Sequence, residues 1–130
     1  MIIAIDPGIS TGIAWHDVKG YHTLVTRDEG DIWSLLVGIH WDCVIYEDFV
    51  TSGRIGAPGL ATVRLIGGIL ALCKHMGLQT CKHMPQARYP FQLEARKKLH
   101  GAIIHEQDAM AHLLRYEYDE EVKHAGNLLH

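Results

Sequence analysis

The sequence predicts an α/β fold built on one mixed sheet of five strands, and three observations carry that expectation. The first 26 residues hold three short β-rich runs separated by tight turns, and the rest of the chain alternates apolar helical periods with two further strand-like runs. The chain is 130 residues long and 48% apolar, which suits a single domain, 1–130, around one continuous core.

Residues 2–5 form a continuous β-branched-rich run that closes on Asp6-Pro7-Gly8, a stop made by the fixed φ of proline and the freedom of glycine. Residues 11–15 and 21–26 read as the second and third strands, and the Lys19-Gly20 turn between them makes an antiparallel meander. Over 31–39 the apolar residues Ile32, Leu35, Leu36 and Ile39 recur at helical spacing, with Asp28 or Asp31 placed to cap the start. A fourth strand, 43–46, ends on Glu47, and a glycine-rich loop follows over 51–59. Residues 60–76 put Leu60, Val63, Ile66, Leu70 and Cys73 on one helical stripe that stops at Gly77, while Gly67 and Gly68 would let another helix approach closely. The fifth strand is expected over 78–83, a loop over 85–91, a short basic helix over 92–99 and a final helix over 107–118. This order, β-β-β-α-β-α-β-α-α, resembles the ribonuclease H-like fold, a mixed five-stranded sheet with helices on both faces.

Composition narrows the function classes. The three cysteines, Cys43, Cys73 and Cys81, form no CxxC pair and are odd in number, so neither a zinc knuckle nor a disulfide framework is expected; each reads as a small buried hydrophobe. No basic residue precedes the opening apolar run, and the longest uncharged apolar run, 65–73, is short for a bilayer span. A cytoplasmic location without membrane contact is the expectation, in the host cytoplasm should the source be viral. Net charge is −3, which alone does not suggest a nucleic-acid binder. Its distribution is uneven: Lys74, Lys82, Arg88, Arg96, Lys97 and Lys98 face a single acid, Glu94, over 74–98, whereas Glu117, Asp119, Glu120 and Glu121 crowd the C-terminal end.

Three acids occupy places that matter for chemistry. Asp6 closes the first strand, Glu47 closes the fourth, and Asp108 is expected to open the last helix. If the two strands are neighbours, both acids leave the same sheet edge, and a helix packed on the sheet can bring Asp108 alongside. Clustered carboxylates repel, so a fold that builds such a cluster normally neutralises it with a cation. Magnesium takes oxygen ligands and keeps waters, and two ions about 4 Å apart can activate a water and stabilise a leaving oxygen.

The flanking residues sharpen this pattern. The stretch Ile3-Ala4-Ile5-Asp6-Pro7-Gly8-Ile9-Ser10-Thr11-Gly12 closely resembles the opening motif of RuvC-type Holliday-junction resolvases, in which Gly8 and Gly12 would hold a tight turn near the metal site. Val44-Ile45-Tyr46-Glu47 resembles the second acidic motif of that family, and His105-Glu106-Gln107-Asp108-Ala109-Met110-Ala111 its last, where a spacing of three puts His105 and Asp108 on one helix face. The resemblance implies a metal-dependent, structure-selective endonuclease for four-way or other branched DNA, with Asp6, Glu47, His105 and Asp108 as catalytic and metal-binding residues. His105 would bind metal or orient the attacking water, and its imidazole would let Mn2+ serve beside Mg2+. Pro85-Gln86-Ala87-Arg88 resembles the segment that supplies a cation near the scissile phosphate, with Lys97 or Lys98 as a second. Phe49 would intrude at the junction crossover, Arg54, Lys82 and Arg96 would join the DNA contacts, and the helix over 60–76 would form a homodimer matched to the twofold junction. Two other readings are open to the same residues: a non-catalytic branched-DNA-binding relative, and an actin- or sugar-kinase-like phosphate-binding domain, whose first phosphate loop the 6–12 segment also resembles.

Overall fold

In the computed structural model, residues 1–49, 56–99 and 104–129 are described. Strands β1 (Ile2–Asp6), β2 (Thr11–Asp17) and β3 (Gly20–Thr26) form the antiparallel meander, and β4 (Cys43–Glu47) and β5 (Gln79–His83) extend the sheet in parallel to β1, in the order β3-β2-β1-β4-β5. With helices on both faces, this is a ribonuclease H-like α/β fold.

Helix α1 (Glu29–Gly38) starts where Asp28 accepts the Gly30 amide at 2.9 Å, and α2 (Ala57–Met76) ends at Gly77, whose φ of 71° is the left-handed stop that glycine adopts readily. Both lie over one sheet face, where Ile3, Ile5, Ile13 and Val44 meet Ile32, Leu36, Leu65 and Ile69. Helices α3 (Gln92–Lys98) and α4 (Ile104–Leu129) cover the other face, packing Ala95, Ala109, Ala111 and Leu113 on Ala4, Ala14 and Ile45. The alanines on both sides of this layer let α4 lie close to β1 and β2. Closest of all is Gly12, where an added Cβ would sit 2.0 Å from the His105 carbonyl oxygen. That glycine is a strand residue paired with Asp6, not a turn residue as its motif suggested. It fixes where the first turn of α4 lands.

Side chains alternate along a strand, so Asp6 shares the face of Ala4, Glu47 that of Ile45, and His83 that of Cys81. The register pairs Ile5 with Tyr46 and Glu47 with His83. Three parallel strands therefore end side by side, each presenting a polar residue toward α4.

Four expectations are revised. Residues Pro85–Phe91 form a 3-10 helix, not a loop, because Pro85 presets the first φ and the Ala87 amide reaches the Met84 carbonyl at 3.0 Å. Helix α4 outruns 107–118 at both ends; its C-terminal half is rich in charge, carries intrahelical pairs such as Arg115–Asp119, and leaves its apolar residues Tyr118, Val122 and Leu128 exposed. Asp108 accordingly lies a turn inside α4 instead of opening it. In α2 the buried stripe is Thr62, Leu65, Ile66, Ile69 and Cys73, while Leu60 and Val63 face outward. Of the paired glycines, Gly68 receives Trp33 of α1, where a Cβ would lie 2.9 Å from the ring, and Gly67 is open. Cys43 and Cys73 are buried and Cys81 is half-buried, all three as free thiols.

Candidate active site

Positions 105, 108 and 112 follow one another at three- and four-residue spacing, so α4 lays His105, Asp108 and His112 as one stripe over the ends of β1, β4 and β5. His105 Nδ1 is 3.5 Å from Asp6 Oδ2. Asp6 is buried and shares a side-chain hydrogen bond with Glu47. Arg88, carried by the 3-10 helix, pairs through Nη1 with Glu47 Oε1, and its Nε lies 3.5 Å from Asp108 Oδ1. Behind Glu47, His112 Nε2 is 3.4 Å from Oε1, and His112 Nδ1 is 3.0 Å from Nδ1 of His83.

Burial, the hydrogen bond that Asp6 donates to Glu47 and the charges of Glu47 and Asp108 push the Asp6 carboxyl up to about 9. Glu47 goes the other way: burial opposes its ionisation, but His112, Asp6 and Arg88 together hold it well below the usual carboxylate range. Asp108 is raised, first by burial. The Asp6–Glu47 pair thus retains one proton near neutral pH, seated on Asp6. One arginine does not balance three carboxylates.

The structure brings Asp6, Glu47, His105, Asp108 and Arg88 together. Among the described residues no three His, Cys, Asp or Glu side chains surround one point at coordination distance; the Arg88 guanidinium lies between Glu47 and Asp108. The donor chemistry nonetheless fits a hard divalent cation: carboxylate oxygens from three elements, with an excess of negative charge that a protein fold holds only by keeping a proton on Asp6. Such an ion would displace Arg88.

Phe49 lines a cleft of about 660 Å3 beside the cluster, shared with Gly8, Ile9, Ser10, Arg27 and His105. Lys82, Arg96 and Lys97 are exposed on β5 and α3. Lys98 is directed elsewhere: its Nζ lies 4.6 Å above the Tyr21 ring, near the end of the meander remote from Asp6, because α3 runs along α4 away from the cluster. Arg54 lies outside the described residues. Sequence reasoning passed over three residues. Arg27, exposed and 3.2 Å from Ser10 Oγ, adds a cation to the cleft wall. His112 was findable four residues after Asp108 on the same helix face, and His83 ends β5 as Asp6 and Glu47 end their strands.

A ribonuclease H-like sheet with acids at the ends of β1 and β4 and on the helix above them defines the class of this domain. No family model matches the sequence, and no curated protein matches it. Solved structures do share the fold. Thermus thermophilus RuvC in complex with Holliday junction substrate aligns with a TM-score of 0.75 and 16% identity over 93% of this chain and 94% of that one. A second Thermus thermophilus RuvC structure aligns at 0.70 and 17% over 94% and 96%. The Fowlpox virus resolvase with Holliday junction DNA aligns at 0.57 and 11% over 89% and 97%.

Proposed function

We propose that this chain is a divalent-metal-dependent endonuclease that cuts four-way or otherwise branched DNA and acts as a homodimer. The observation that carries the reading is the convergence of Asp6, Glu47 and Asp108 at one edge of the sheet with too little counter-charge. The structural neighbours that share this fold end to end include two proteins bound to Holliday junctions, which supports the choice of substrate.

Asp6, Glu47 and Asp108 would hold the metal, Mg2+ or Mn2+ as a pair of ions, with His105 beside Asp6. Bound divalent ions supply an acidified water and a Lewis acid for the leaving oxygen. The chain's own residues do the rest. Asp6 would have to release its retained proton for its carboxylate to hold the metal. Arg88, released from Glu47 and Asp108, presents its planar fork to a phosphate, a better match than a point charge. His105, half-buried at the cleft mouth, orients a water or takes its proton. Phe49 offers a ring to an unstacked base in the cleft, while Arg27, Lys82, Arg96 and Lys97 contact the DNA backbone.

The dimer reading rests on α2. An 18-residue stretch of it has a mean hydropathy of 1.4, yet only 28% of that stretch is buried. Leu60 and Val63 are 50% and 44% exposed, in line with the open Gly67. A twofold pairing along this stripe would cover it and match the two equivalent strands of a junction.

A panel of synthetic four-way junctions, flaps, forks and linear duplexes, incubated with Mg2+ or Mn2+, tests the function. Preferential nicking of the branched substrates is expected. Equal cutting of linear duplex would refute structure selectivity, and junction binding without cleavage under any divalent ion would refute catalysis.

A further inference from the structure

We propose that His112, backed by His83, is a positioning residue that holds Glu47 in place by donating a hydrogen bond from Nε2, and that the two imidazoles form a fixed relay of tautomers behind the acidic cluster. The inference rests on the nuclease reading of that cluster for its consequence, though not for its geometry.

The His112 ring is fully buried, so both of its nitrogens must find partners inside the protein. Nδ1 has one in His83 Nδ1 at 3.0 Å. Nε2 has no well-aligned hydrogen-bond partner, and the group facing it is Glu47 Oε1 at 3.4 Å. A carboxylate can only accept. A bare Nε2 would set two lone pairs against each other in a dry environment, so Nε2 carries the hydrogen, and the relay places the hydrogen shared across the Nδ1 contact on His83, with Nδ1 of His112 accepting. The donor at Nδ1 is then His83, as its Nδ1–H tautomer. His83 suits that role because it is buried, and burial disfavours its charged form.

This chain of assignments has a mechanical result. Glu47 Oε1 is gripped from the interior by His112 and from the open side by Arg88. When Arg88 is drawn away to a phosphate or displaced by metal, His112 still holds the carboxylate from the interior side. Two features make the arrangement directional. His112 sits one helical turn beyond Asp108, so the same helix carries one acid and the group that orients another. His83 occupies the end of β5 in register with Glu47, so the relay spans the gap between strand end and helix. Groups in this position behind a metal-ligating residue typically alter affinity or rate by about 10- to 100-fold when removed.

The test uses the whole chain. In the wild-type protein, long-range 15N–1H correlation of the histidine rings reads the tautomers: protonated Nε2 on His112 and protonated Nδ1 on His83 are expected. A bare Nε2 on His112 overturns the proposal, and that measurement does not depend on metal or DNA. His112→Leu keeps the volume and removes the donor, whereas His112→Gln can return an N–H close to the position of Nε2. Titration with Mn2+ alone should show weaker binding by about 10- to 100-fold for Leu, with recovery for Gln, and junction cleavage should follow the same order. Equal Mn2+ affinity and cleavage for Leu and wild type would overturn the role of His112. Should Leu fail to fold, a Gln variant as impaired as an Asn variant, whose amide falls short of Glu47, would overturn it equally. Absence of Mn2+ binding in the wild type would instead sink the nuclease reading and leave the tautomer result standing.

Discussion

Replacing Arg88 by methionine isolates the electrostatic account of the site. Methionine keeps the length of the stem and removes the charge. In the metal-free protein the guanidinium pairs with Glu47 and faces Asp108, and the three side chains are only 20%, 12% and 14% exposed. Breaking one partner of so enclosed a pair costs about 3 kcal/mol, toward the low end for buried pairs because some solvent reaches the arginine. On a domain of this size that corresponds to a fall of about 10 °C in Tm. Metal should reverse it. Mn2+ at a hundredfold excess over its Kd contributes about 2.7 kcal/mol, and in Arg88→Met the ion no longer competes with a resident cation, so the metal-induced rise in Tm should exceed that of wild type. Differential scanning fluorimetry with EDTA or with Mn2+ reads both quantities. Junction cleavage should nevertheless fall, because the phosphate loses its fork. An unchanged metal-free Tm, or equal metal-induced shifts in variant and wild type, would refute Arg88 as the counter-ion that metal replaces.

Three further outcomes are expected. Gly12→Ala places a methyl 2.0 Å from the His105 carbonyl oxygen; either the strand or the first turn of α4 must shift, and cleavage should drop by at least about 100-fold, as displacements of about 1 Å do at catalytic sites, measured on the junction substrate alongside circular dichroism. The metal-free protein should lose stability as pH rises from about 6.5 toward about 9, since over that window Asp6 holds a proton only when folded, its native pKa being raised, whereas below it His83, held neutral by the fold, acts in the opposite sense; saturating Mn2+ should flatten that decline, and urea midpoints across the range report it. Val63→Glu puts a charge on the outward stripe of α2 and should yield a monomer by light scattering with the fold intact; an unchanged dimer would place the pairing elsewhere, and a wild type that is already monomeric would refute the homodimer.

Much of the fold was legible because its punctuation is chemical. Asp6-Pro7-Gly8, Lys19-Gly20 and Gly77 each end an element through backbone chemistry that the residues dictate. The strand ends carried Asp6 and Glu47, and the three-residue spacing carried His105 with Asp108. Helix α2 was harder: it is apolar nearly all round, so periodicity could not tell the face that meets Ile3 and Ile5 from the face holding Leu60 and Val63. The C-terminal half of α4 failed for a different reason, since its few apolar residues, Tyr118, Val122 and Leu128, stand exposed among charges and mark no buried face. Arg88 was readable as a cation for the site, but not its seat between Glu47 and Asp108, which depends on the 3-10 helix that Pro85 starts. His83 and His112 meet across 29 residues. No local pattern announces such a pair, although each sits at a position whose equivalents had already been singled out.

The central claim is that the carboxylates at the ends of β1 and β4 and on α4 cut DNA through a bound cation. Its most direct test is cleavage of an immobile four-way junction by wild type and by Asp6→Asn, with Mg2+ or Mn2+ present. Asparagine matches the protonated Asp6 of the metal-free state in shape, so the variant should fold with near wild-type stability and still bind the junction, while nicking falls by about 1,000-fold or more, the scale lost with a key electrostatic group. Undiminished nicking by Asp6→Asn would contradict the account.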